Sequence, residues 1–126
     1  MARVTEIWER DGERCLWCGA ASWARDRTVE HLLPRSRGGS DDQANLLPAC
    51  RACNRARRSQ SAVAYARECA RAGKRVQVDL LLRGLDRLAA QGAGAERRHG
   101  ARQAEMVRDW QRAEAAVAAH LERLAG

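Results

Sequence analysis

The chain has 126 residues, a net charge of +7 with Lys74 its only lysine, no Phe, and four Trp and one Tyr as its aromatic residues. That length fits one domain with at most a small appendage, and a core so short of large apolar side chains needs a second constraint. No apolar run approaches a helical membrane span, and Met1 to Asp11 is too charged for a signal peptide; the chain reads as cytoplasmic, where structural disulfides are rare.

In chain order, Thr5 to Arg10 reads as a short helix closed by Asp11-Gly12. Cys15-Leu16-Trp17-Cys18-Gly19 is a tight knuckle whose glycine suits a positive φ. Arg27 to Leu33 has strand composition and ends at Pro34, and Arg35 to Asp42 is a Gly- and Ser-rich loop. Asn45 to Pro48 is a second extended piece, and Cys50 opens a helix running to about Arg58. The second half changes character. Ser61 caps a helix over Ala62 to Ala72 with Gly73 at its stop, and Val78, Leu81, Leu82, Leu85 and Leu88 give a second helix over Val76 to Gln91. Gly92 to Gly94 breaks the pattern. From about Ala101 a long helix carries Met106, Trp110, Ala113, Val117, His120 or Leu121, and Leu124 in a seam that is expected to pair with the Val78–Leu88 helix. His99 reads as exposed loop, and His120 as lying on the seam or its flank.

Four of the five cysteines form two C-x-x-C pairs, Cys15/Cys18 and Cys50/Cys53. Four thiolates in a tetrahedron are a usual structural zinc site, and the metal closes the long stretch between the pairs as a crosslink would. A redox role is disfavoured by the doubled motif, and Cys69 reads as a small buried apolar residue without a role. The positive charge has two readings that composition leaves open: an arginine-rich solvated surface, or a polyanionic partner whose phosphates the guanidiniums fork onto.

Between the knuckles run Thr28-Val29-Glu30-His31-Leu32-Leu33-Pro34-Arg35-Ser36-Arg37-Gly38-Gly39, then Asn45-Leu46, then Cys50-Arg51-Ala52-Cys53-Asn54. Taken together, in this order and spacing, these pieces resemble the core of the HNH nuclease superfamily in its ββα-metal form, an HNN variant with flanking cysteines. The resemblance covers Cys15 to Arg58. It implies an α+β fold: a ββα-metal, zinc-stabilised nuclease core at residues 1–60, followed by an all-helical extension at 61–126 of three helices that pack on the core, pair with a second copy or meet a protein partner.

The resemblance also implies roles. His31 would be the general base that deprotonates the attacking water, a task suited to imidazole. Glu30 and Asn54 would hold a catalytic Mg2+ or Mn2+ through oxygen, and Asn45 would tie the loop between the strands and so hold His31. Glu30 stands where the family usually has Asp, which bears on metal preference. Arg51, Arg55, Arg57 and Arg58 crowd the helix that carries Asn54 and would grip the phosphates of double-stranded DNA, with Arg35 and Arg37 next. The implied reaction is endonucleolytic hydrolysis of a phosphodiester, leaving a 5′ phosphate and a 3′ hydroxyl. The alternative is a non-catalytic zinc-stabilised module that binds DNA or protein.

Overall fold

The structure is a computed structural model and describes residues 2–126. It comprises α1 (Ala2–Arg10), β1 (Arg27–His31), β2 (Leu46–Cys50), α2 (Arg51–Arg57), α3 (Ala62–Arg71), α4 (Val78–Gln91) and α5 (Ala95–Ala125). β1 and β2 form an antiparallel ribbon whose register runs unbroken from Arg27 opposite Cys50 to His31 opposite Leu46. α2 follows β2 directly and packs back on the ribbon, giving the ββα unit that the sequence predicts, with the helical extension behind it. Pro48 is tolerated inside β2 because its main chain faces out of the ladder: its carbonyl accepts from Leu16 N at 2.8 Å, which ties the first knuckle to the strand.

Helix starts follow local chemistry. Ser61 Oγ accepts from Ala64 N at 3.3 Å and Cys50 Sγ from Cys53 N at 3.5 Å, each meeting an otherwise unpaired first-turn donor. Gly73, past the end of α3, has φ +80°. The first helix begins earlier than expected, at Ala2, and the last begins at Ala95 rather than near Ala101.

One apolar cluster runs from Trp8 through Trp17, Leu47 and Tyr65 to Leu85, Ala104 and Val107, so residues on both sides of Ser59–Ser61 share a core. Polar contacts join the halves as well. Gln77 donates from its main chain to Leu16 O at 2.9 Å and from its side chain to Cys15 O at 3.1 Å, and Gln103 Oε1 accepts from Val63 N at 3.0 Å.

α4 and α5 form the expected antiparallel hairpin, but in a different phase. Buried on α5 are Glu96, Gly100, Gln103, Ala104 and Val107, whereas Met106, Val117, Leu121 and Leu124 are exposed. The reason lies at Gly100, where a Cβ would stand 2.7 Å from Ala89 N and 2.8 Å from Leu85 O. Backbone contacts that close let the helices meet at Gly100, and α5 then runs past the core before its apolar seam finds a partner. His99 is also corrected: it lies in α5, half-buried, not in an exposed loop. Burial, then the charge of Arg57, pulls its imidazole below the ordinary value.

Candidate active site and metal centre

The cysteines converge. One ligand atom from each of Cys15, Cys18, Cys50 and Cys53 lies within 4.8 Å of every other, with Cys15 and Cys53 buried and the other two half-buried. Sulfurs around zinc at about 2.3 Å stand about 3.8 Å apart in a tetrahedron, so small side-chain adjustments close this set on such an ion. The thiols already interact: a hydrogen bond with Cys53 draws Cys15 down to about 5, and the same contact pushes Cys53 far up. That contact shares one proton between neighbouring thiols, the arrangement expected where several sulfurs crowd together before a metal takes the place of their protons. Cys69 is buried outside the set.

The second knuckle leads straight into α2, so Asn54 is positioned by its neighbour Cys53. Asn54 Nδ2 donates to Val29 O at 3.0 Å and Thr28 Oγ1 at 3.3 Å, pinning the helix to β1 two residues before His31. That orientation commits the amide nitrogen and leaves Oδ1 as the group a hard cation could use.

Asn45 is fully buried and closes the loop between the strands. Its Oδ1 accepts from Leu33 N at 2.9 Å, and its Nδ2 donates to Leu33 O at 3.0 Å and Ser40 O at 2.9 Å. The loop is packed so closely that a Cβ on Gly39 would overlap Leu33 O. Glu96, from the start of α5, clamps the far side: its Oε2 accepts from Ser40 N at 2.9 Å and Ser40 Oγ at 2.8 Å. The extension thus helps to shape the loop that flanks His31.

At the end of β1, His31 keeps 19% of its side chain exposed, and its Nε2 lies 2.8 Å from Asp41 Oδ1. The same oxygen accepts from Arg35 Nε at 3.0 Å and Nη2 at 2.6 Å. These hydrogen bonds hold the Asp41 carboxyl below the usual range, the one with His31 first. Arg35, expected to face phosphate, thus commits two nitrogens to Asp41. Sequence reasoning passed over Asp41 as a loop residue; its distance from His31 in the chain hides the contact.

Two further expectations are corrected. Successive residues of an unbulged strand face opposite sides, so Glu30 turns inward while His31 does not. Glu30 is 4% exposed; its Oε1 accepts from Arg57 Nη1 at 2.9 Å and its Oε2 from Trp17 Nε1 at 2.8 Å. In this arrangement it offers no free oxygen to a cation and shares no hydrogen bond with Asn54. Burial, opposed by Arg57 and Trp17, pushes its carboxyl up.

Arg57, expected on the DNA face, is fully buried. Besides Glu30 it donates to His31 O at 2.7 Å, Leu32 O at 2.8 Å and Gln60 O at 3.0 Å, and its guanidinium lies over the Trp17 ring at 5.6 Å. It shares an inward stripe of α2 with Cys53, four residues earlier, and that helical phase is the signal that separates it from its neighbours.

The remaining arginines of the cluster are on the surface. Arg37, Arg55 and Arg58 are exposed, as is Arg51, whose Nε donates to Arg25 O at 2.7 Å. Arg58 caps α2 at φ 55° and ψ −128°, a conformation that a side chain resists. We expect Arg58→Gly to stabilise the fold by about 1 kcal/mol through relief of that strain. Chemical denaturation of the two proteins measures the difference.

Residues 13–60 match the family model described as HNH endonuclease. A search of curated proteins gave no match to the chain.

Proposed function

Because residues 13–60 match the HNH endonuclease family model, we propose that this chain is a metal-dependent DNA endonuclease that hydrolyses phosphodiester bonds in duplex DNA, with a structural zinc in its four-cysteine site. The observation that carries the reading is the state of His31. Its side chain is part-open to solvent on a strand end whose surroundings are fixed by Asn45, Arg57 and Asn54.

In this reading His31 takes the proton of the attacking water, and Asn45 and Arg57 hold the main chain on which it stands. A catalytic Mg2+ or Mn2+ would be held by Asn54 through Oδ1, and such an ion supplies positive charge against the phosphate and the departing oxygen. It fits Asn54 but not Glu30 as Glu30 is oriented here, so most of its shell would come from water and substrate, as is usual for Mg2+. Arg37, Arg51, Arg55 and Arg58 would hold phosphates on either side of the scissile bond without reading bases.

One observation favours the alternative, a non-catalytic zinc module that binds DNA: the carboxylate expected to hold the cation is locked in a buried ion pair. Cleavage of supercoiled plasmid with Mg2+ or Mn2+ decides between them. We expect nicking by the wild-type chain and a loss of about a hundredfold or more in His31→Ala with DNA binding retained, the range for a lost general base. Inert wild-type protein that still binds the plasmid would establish the alternative instead.

A further inference from the structure

We propose that Asp41 is the positioning residue for His31: it holds Nε2 as the protonated nitrogen, so that Nδ1 is the proton acceptor, and Arg35 is its anchor. The inference deepens the nuclease reading and rests on it for the chemistry, but the contact itself is independent of activity.

The geometry is that of a carboxylate orienting an imidazole. In the neutral ring one nitrogen carries hydrogen and the other a lone pair, and which is which follows from the partner the ring already has. A carboxylate accepts only, so Nε2, at 2.8 Å from Asp41 Oδ1, is the donor. Nδ1 is then left with its lone pair. The water's proton passes to Nδ1 as its oxygen bonds to phosphorus. The bond to the leaving oxygen breaks with its electron pair, and that oxygen takes a proton from solvent. His31, now an imidazolium facing the Asp41 carboxylate, returns its extra proton to solvent.

The loop around Asp41 is fixed more firmly than a surface ion pair requires. Arg3 Nη1 donates to the Asp41 carbonyl at 2.6 Å, and Ser40 is held by Glu96 and Asn45 on one side. Asp42 N donates to Ser40 Oγ at 3.2 Å, and Asp42 Oδ1 accepts from Ala44 N at 2.9 Å on the other. Asp41 itself is about half exposed, so its contact with His31 is screened and contributes little to stability. Its value lies in orientation. Arg35 and His31 bind one and the same oxygen, so a side-chain amide that keeps that oxygen keeps both bonds.

The test uses the full, zinc-loaded chain and two readouts. Nitrogen NMR of His31 is expected to show the Nε2–H tautomer in wild type and in Asp41→Asn, and a mixture in Asp41→Ala. In plasmid nicking, Asp41→Ala is expected to lose about ten- to hundredfold in kcat, the scale for loss of an orienting partner, with KM for DNA unchanged and most of the rate restored in Asp41→Asn. Wild-type kcat in Asp41→Ala, or a change in KM alone, overturns the proposal. So does an Nδ1–H tautomer in the wild-type chain. If the wild type cleaves nothing, the nuclease reading fails by itself; the tautomer and its loss in Asp41→Ala still decide whether Asp41 orients the ring.

Discussion

Stripping the metal from the four-cysteine site is expected to unfold the chain in a single transition that takes the C-terminal helices with it. Structural zinc contributes an apparent 10–16 kcal/mol or so in small zinc modules, while a whole domain is stable by only about 5–15 kcal/mol. Cys15 and Cys53 are buried beside Trp17, and the apolar cluster they belong to continues without a break to Val107 on α5. Losing the knuckles therefore exposes the surface on which α3 and α4 rest. Thiols bind zinc as thiolates and must give up their protons to it, so affinity falls as pH falls and chelators act more readily in mild acid. Circular dichroism during chelation, and the thiolate absorption of Co2+ bound in place of zinc, measure both effects. Cys53→Ala should behave like the chelated chain and Cys69→Ala like wild type. A metal-free protein that keeps its full helical signal and melts as before would remove the metal from the account of the fold. Two separated transitions would show that residues 61–126 fold independently of the metal.

What the sequence made legible is what is encoded locally. The C-x-x-C spacing, the Ser61 cap, the Gly73 stop and the periodicity of α4 each lie within a few residues, and each is where the sequence put it. The order of His31, Asn45 and Asn54 was readable for the same reason, as a motif. Partnerships across the fold were not. Arg57 looks like Arg55 and Arg58 in the sequence, and only its place on the Cys53 stripe of α2 turns it inward. The resemblance gives Glu30 to a cation, but strand alternation turns it inward to Arg57 and Trp17. Gly100 gave no apolar signal at all, yet it sets the phase in which α5 meets α4. Charge and periodicity name the residues available for an interior; the packing selects among them.

The Glu30–Arg57 pair yields the second large effect, and one that separates structure from chemistry. Both side chains are out of water, with 5% and 0% of their side-chain surface exposed. A buried pair is costly to break from either side, by about 3–5 kcal/mol, because the survivor keeps its charge without a partner. The two halves are not equivalent here. Glu30→Gln keeps an oxygen for a hydrogen bond and removes a carboxylate that burial already disfavours in its charged form. Arg57→Met strands Glu30 together with the carbonyls of His31, Leu32 and Gln60. Arg57→Met should therefore cost the full 3–5 kcal/mol or so and Glu30→Gln clearly less. Urea denaturation of the zinc-loaded variants measures that order. Cleavage should follow it in the proposed reading: with Asn54 and substrate as the holders of the cation, Glu30→Gln would keep measurable nicking, while Arg57→Met would lose it with the His31 main chain unmoored. A Glu30→Gln variant as stable as wild type but unable to cleave would show that the carboxylate leaves Arg57 to bind the cation during the reaction. Equal losses of stability in the two variants would mean that the carbonyls of His31, Leu32 and Gln60 do not depend on Arg57, and that the ion pair alone sets the cost.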